Sequence, residues 1–296
     1  MKFAAIDIGS NAVRLLLSRV IENGKYPIFK KESLIRIPIR LGEDAFVRKR
    51  ISAEKAEQLV NTMRGFKFLI EAYQAIDYMA CATSAMREAE NGEDVVKEIM
   101  RRSGIKLDIV AGQKEADIIY ANHFEERLDQ NKSYLYIDVG GGSTELTLFS
   151  HNQSITSHSF NIGTVRLLHG LVPDSRWKDM KQWVQVIAPE FKPVIGIGSG
   201  GNINKMFKLS RIKTGKPISY KRLRELDKYL NTFSLDERIK ILGLRPDRAD
   251  VIILAADIFT SVMKWAKINR MYVPEIGLSD GMIRLLYERH MANRKS

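Results

Sequence analysis

The amino-acid sequence predicts an α/β protein of two related lobes with a cleft between them, and three observations lead there. DIGSNAVRLLL (7–17) and DVGGGSTELTL (138–148) align without gaps at a constant offset of 131 residues, so that Asp7 meets Asp138, Gly9 meets Gly140, Leu15 meets Leu146 and Leu17 meets Leu148. Each copy is an apolar run ending in Asp, a turn of small residues, and a second apolar run. Two strand–turn–strand copies so far apart indicate two halves rather than a short-period solenoid. Strand-like and helix-like patterns then alternate along the chain, as in a sheet covered by helices. The third observation is size: 296 residues, 45% hydrophobic and 28% charged, suit one large or two ordinary folded domains.

The elements follow in order. FAAI (3–6) is the first strand. Ser52 caps a helix over Ala53 to Tyr73, whose Ala56, Leu59, Met63, Phe66 and Ile70 form one apolar face. A strand near Tyr78 to Ala82, a helix near Glu93 to Arg102, a strand at Leu107 to Val110 and a helix over Lys114 to Arg127 come next. No Pro/Gly/Ser-rich linker appears, so the boundary is expected within or beside that helix, dividing the chain into 1–118 and 119–296. In the second half YLYI (134–137) repeats the first strand, and a strand over Pro193 to Ile197 leads into a helix. Helices at Ala249 to Trp265 and Asp280 to His290 flank a short strand at Met271 to Val273.

Composition narrows the function. Lys and Arg number 47 against 35 Asp and Glu, a net charge of +12. A field of that sign concentrates polyanions, and a basic protein with scattered surface lysines is an equally good reading of the charge alone. Basic residues crowd 48–50 and Lys205 to Arg224, but without interleaved aromatics for base stacking, so nucleic acid is not an expected partner. The single cysteine, Cys81, excludes a disulfide framework or a cysteine zinc site within the chain. The five histidines lack metal-ligand spacing, and His123, His158 and His169 read as structural or surface residues. No stretch approaches the ~20 apolar residues of a membrane span. Asp7 interrupts the N-terminal apolar run, so no signal peptide is expected and a cytoplasmic protein is.

The repeated turns carry the chemistry. Gly9 in the first, and Gly140, Gly141 and Gly142 in the second, let backbone N–H groups close on an oxyanion. Ser10, Ser143 and Thr144 add hydroxyl donors, and Asp7 or Asp138 at a strand end can hold Mg²⁺. Two ordinary glycine-rich hairpin turns are the plainer alternative. A P-loop signature is absent. GIGSGG (196–201) fits a dinucleotide fingerprint only weakly, because no acid follows about twenty residues on. Gly198, Ser199 and Gly200 therefore read as a second phosphate- or nucleotide-facing loop, or as a tight strand–helix turn.

DIGSN (7–11), RLGED (40–44), ATSAMREA (82–89), GQKEAD (112–117), DVGGGSTE (138–145), GTVRL (163–167), GSGGN (198–202), RADVI (248–252) and GLSDG (277–281) together resemble the motif set of the Ppx/GppA exopolyphosphatase/guanosine-pentaphosphate phosphatases, in that family's order and over nearly the whole chain. The resemblance implies two actin-like, ribonuclease H-like lobes. It implies Glu115 as the general base that deprotonates the attacking water. On its residues alone, Glu115 reads more readily as an exposed acid of a helical first turn, favoured by the macrodipole. Asp138 and Glu145 match acids associated with Mg²⁺ (or Mn²⁺), with Asp7 a third candidate ligand; Gly140 to Thr144 match the family's phosphate loop, and Asp7 with Gly9, Ser10 and Asn11 matches the first one. Arg87 and Arg166 sit in motifs suited to aiming guanidinium groups at phosphate. The chain departs from the family at Ala12, where Ser is common, and at Asn202, where Thr is. It ends at Ser296, before the helical C-terminal region of long members, and so resembles the short, two-domain type. The implied activity is release of orthophosphate from inorganic polyphosphate. Hydrolysis of guanosine pentaphosphate and a weakly catalytic alarmone- or polyphosphate-binding regulator are the alternatives; sugar-kinase activity, from fold analogy alone, is weaker. A homodimer is the expected assembly, without membrane contact.

Overall fold

The computed structural model describes residues 1–294 except 25, 122–128, 130, 152 and 192. The chain forms two compact units, 1–122 with 277–296, and 123–276. In the first unit β1 (Lys2–Ile8), β2 (Val13–Asn23) and β3 (Tyr26–Ile37) form an antiparallel meander, and β4 (Asp77–Ala82) and β5 (Asp108–Ile109) extend it in parallel from β1, giving the order β3-β2-β1-β4-β5. In the second, β6 (Ser133–Val139), β7 (Thr144–Ser150) and β8 (Gln153–Phe160) repeat the meander. There β9 (Val194–Ser199) and β11 (Arg270–Tyr272) take the places of β4 and β5, and β10 (Ile218–Ser219) adds an antiparallel edge. The duplicated hairpin is therefore the visible part of a duplicated topology, and the two-unit α/β class is the one observed.

Local chemistry explains the main helices. Ser52 Oγ accepts the Lys55 N–H at the start of helix Ala53–Tyr73, which buries Leu59, Val60, Met63, Phe66 and Ile70. Helix Ile252–Trp265 is apolar almost all round, and it sits at the centre of the second unit against β6 and the helices around it. Sequence periodicity joins it to residues 249–251. Instead Pro246 opens a separate turn, Pro246–Ala249, and the Val251 N–H closes back on Arg248 O at 3.2 Å, interrupting the helix. The helix expected from Lys114 runs over Gly112–Tyr120; its continuation to Arg127 lies outside the described residues.

Helix Leu278–Asn293 packs on β1, β2, β4 and helix Gly112–Tyr120 of the first unit, whereas on sequence alone it falls within 119–296. Its apolar face is readable from the sequence, but the surface that covers it is not. Two devices fix it there. Lys31 Nζ on β3 pairs with Asp280 Oδ1 at 2.7 Å, and Asp280 Oδ2 accepts the Gly277 N–H at 3.0 Å. At Gly281 a Cβ would stand 1.8 Å from the Ile118 carbonyl oxygen, so only glycine allows so close an approach. Among the described residues no helix is long and apolar enough to cross a membrane.

Candidate functional site

In the first unit the candidate residues gather at the C-terminal end of β1. Asp7 stands in register with Arg14 on β2 and Cys81 on β4; Arg14 faces Arg36 on β3, and Cys81 faces Asp108 on β5. One row across the sheet thus reads Arg36, Arg14, Asp7, Cys81, Asp108. Arg14 Nη1 bonds Asp7 Oδ2 at 2.5 Å, with the carboxylate nearly buried. The turn closes with the Gly9 N–H on Ala12 O at 3.1 Å. Its outer side is tied down: the Gly42 N–H donates to Ser10 O at 2.8 Å and the Arg40 N–H to Asn11 O at 3.1 Å. Ser10 Oγ meets Ser84 Oγ at 2.9 Å, both buried, which joins the turn to the start of helix Ser84–Glu88.

Glu115 lies in the first turn of helix Gly112–Tyr120, half-buried, with Oε2 shielded from solvent. Arg87 holds the approach to that helix, donating from Nη1 to Val110 O at 2.7 Å. The Cys81 thiol reports the local field. Burial first, then the charges of Asp108 and Asp7 and, more weakly, Glu115, push it up to about 12. Asp7 stands beside Cys81 on the neighbouring strand, and Lys114 opposes the weaker effect of Glu115 on the thiol.

The second unit presents the counterpart with a different charge. Asp138 on β6 faces Glu145 on β7 and Ser199 on β9, and Glu145 faces Ser159 on β8, so the row reads Ser159, Glu145, Asp138, Ser199. Ser159 Oγ donates to Glu145 Oε1 at 2.8 Å. In the duplication Glu145 occupies the place of Arg14. The first unit thus neutralises its strand-end Asp, while the second sets two carboxylates side by side.

The loop between β6 and β7 is braced through its carbonyls. Thr164 N–H bonds Gly140 O at 3.0 Å, Val165 N–H bonds Gly141 O at 2.8 Å, and the buried Arg166 donates from Nε to Gly142 O at 2.6 Å. A Cβ at Gly163 would lie 2.4 Å from both Gly141 O and Gly142 C, so this brace needs glycine there. Thr144 is fully buried, with its hydroxyl on Ile162 O at 2.6 Å. Ser143 is buried too, whereas Gly140 is exposed and Gly141 half-buried. Gly200, at φ 109, closes over the same end: a Cβ would meet Val139 O at 2.8 Å and Asp138 Oδ1 at 3.3 Å. Gly198 lies against Met271 and Ile203, and Ser199 Oγ bonds Ile276 O at 3.0 Å. The loops 140–144 and 198–200 thus meet beside Asp138.

Adjacent strand-end carboxylates fit a hard divalent cation, which takes a few carboxylates and keeps waters. Asp138 and Glu145 have that donor chemistry. Asp7 fits less well, because Arg14 already compensates its charge. Among the described residues no group of three or more His, Cys, Asp or Glu is arranged as a metal cage. Sequence reasoning missed Arg14, Ser84 and Gly163. The gapless alignment that pairs position 14 with 145 held the signal for Arg14, and the quoted motifs contain the other two.

The family model described as Ppx/GppA phosphatase family matches residues 20–290. The chain is 28% identical over 288 residues to the bifunctional 3-dehydroquinate synthase/phosphatase of Fusobacterium nucleatum, an alignment covering 88% of this chain and 43% of that protein. It is 24% identical over 305 residues to exopolyphosphatase 1 of Mycobacterium tuberculosis, covering 96% and 87%. A crystal structure of an exopolyphosphatase from Cytophaga hutchinsonii superposes with a TM-score of 0.85 at 20% identity, covering 98% of each chain, a likeness in fold.

Proposed function

Because the chain belongs to the Ppx/GppA phosphatase family, we propose that it hydrolyses the terminal phosphoanhydride bond of inorganic polyphosphate and releases orthophosphate. The observation that carries this reading is the in-register pair Asp138 and Glu145 beside a glycine loop whose carbonyls are bonded from behind. The Gly140 N–H closes the turn on Ser143 O at 3.0 Å, and with the carbonyls of 140–142 bonded from behind the amides of 141–143 are left to face an anion. Glu115 accepts a proton from water as the water oxygen bonds to the terminal phosphorus; the bond from that phosphorus to the bridging oxygen breaks, and the shortened chain leaves with that oxygen. The loop 140–143 holds the non-bridging oxygens, and Arg166 and Arg87 fix the backbone on which loop and base depend. Mg²⁺ or Mn²⁺ held by Asp138 and Glu145 would neutralise charge developing on the phosphate. Asp7 serves here as the anchor of Arg14, which presents a cation where the second unit presents Glu145.

Orthophosphate release from polyphosphate and from guanosine pentaphosphate, measured in parallel with Mg²⁺, tests the substrate. A higher kcat/KM on polyphosphate is expected. Far more efficient cleavage of guanosine pentaphosphate would transfer the assignment to that substrate.

A further inference from the structure

Asp and Glu make up 35 of the 296 residues, yet none falls between Phe191 and Arg224, a stretch that holds nine Lys and Arg. The fold organises this run. Helix Gly201–Leu209 starts at the 198–200 loop and buries Ile203, Met206 and Phe207. That burial turns Gly201, Lys205 and Lys208, spaced i, i+4 and i+7, to the outer side. At about 1.5 Å per residue the helix carries this stripe about 14 Å away from the loop. The chain then bends through Arg211 (φ 57) and Gly215 (φ 84) into β10, where Ser219 lies opposite Arg270 of β11.

Lys208 pairs with Glu275 at 3.2 Å, and Arg222 with Glu225 at 3.3 Å. Among the described residues, Lys205, Arg211, Lys213, Lys216, Lys221 and Arg270 form no ion pair, and all but the half-buried Lys205 are exposed. Like charges gathered without counter-charges repel one another and hold mobile anions, which a polyanion displaces with a gain in entropy. The aromatic residues of the run argue against nucleic acid. Phe207 is buried, and Phe191 and Tyr220 pack on the core, so no ring is presented as a stacking platform.

We infer that this face of the second unit is a docking surface for a linear polyanion, and that its occupant is the distal stretch of the polyphosphate chain whose end is hydrolysed. This inference rests on the proposed function. Lysines act on phosphate as point charges without a preferred orientation, which suits a flexible unbranched chain. Triphosphate, shorter than the helix, serves as the reference substrate.

The test uses the double charge reversal Lys213→Glu/Lys216→Glu. Its control is Lys178→Glu/Lys181→Glu, which changes net charge equally on the exposed side of helix Asp174–Ile187. Binding of long-chain polyphosphate is measured at several salt concentrations, with the ratio of long-chain to triphosphate kcat/KM. The first variant is expected to weaken long-chain binding about tenfold and to flatten the slope of log affinity against log salt by about 1.4, at ~0.7 per lost phosphate contact. The kinetic ratio falls alongside, and the control stays near wild type. Equal losses in both variants, or none in the first, overturn the inference. So does equal displacement of polyphosphate by single-stranded RNA. The binding arm stands apart from turnover: a protein that binds long chains through this face but releases no orthophosphate keeps the surface and loses the proposed activity.

Discussion

Two glycines in helices of the first unit face opposite consequences from the same substitution. Gly65 lies exposed in helix Ala53–Tyr73, and a Cβ there meets nothing within 4 Å. Gly65→Ala adds only helix propensity and reduced unfolded-state entropy, so it should stabilise by about 0.5–1 kcal/mol. For a unit of this size that is a rise in Tm of roughly 2–4 °C. Gly281→Ala instead drives a methyl to within 1.8 Å of Ile118 O. Restoring an ordinary contact of ~3.4 Å requires about 1.6 Å of displacement between helix Leu278–Asn293 and helix Gly112–Tyr120. Overpacking of this kind costs about 1–3 kcal/mol. Because Glu115 rides on the second helix, a shift near 1 Å can also cost about 10²-fold in turnover. Thermal unfolding of both variants, with kcat on polyphosphate, checks the pair. A Gly281→Ala protein with wild-type Tm and kcat would refute the claim that this contact sets the position of Glu115. A loss of stability with full kcat would leave Gly281 a packing residue only.

Asp44 supplies a pH-dependent prediction. Burial alone would raise its carboxyl, but the Ser52 N–H at 2.8 Å and Lys55 hold it below the usual 3.8. Its stabilisation is therefore present above about 3.8 and is lost as pH falls through the lower native value. Asp44→Ala should cost about 1–3 kcal/mol at neutral pH, and the gap from wild type should narrow in strong acid; a gap independent of pH in denaturant titrations would contradict this. Asp138→Asn and Glu145→Gln should each raise the Mg²⁺ concentration needed for half-maximal turnover, whereas full wild-type activity in excess chelator would refute metal assistance.

Much of this organisation is legible in the sequence because it is local. The Asp-to-glycine turns repeat at fixed spacing, and in a hairpin that spacing sets the register, so Asp138 facing Glu145 is implicit in DVGGGSTE. Ser52 followed by apolar residues at helical intervals defines helix Ala53–Tyr73 to the residue. What was hidden depends on partners distant in the chain. Nothing near Arg87 or Arg166 in sequence reveals that their guanidiniums meet the carbonyls of Val110 and Gly142. The attachment of the C-terminal helix rests on Gly281 meeting Ile118, more than 150 residues earlier. Periodicity identifies a face, and only the fold identifies what covers it.

The central claim is that Glu115 is the base acting on a bound phosphate chain, and the most direct measurement is single-turnover orthophosphate release by Glu115→Gln set beside its equilibrium binding of polyphosphate. The substitution keeps size and hydrogen-bonding capacity while removing the proton acceptor. A rate loss of about 10²–10⁴-fold is expected, with binding nearly unchanged. Wild-type release by the variant would contradict it, because some other group would then be taking the proton.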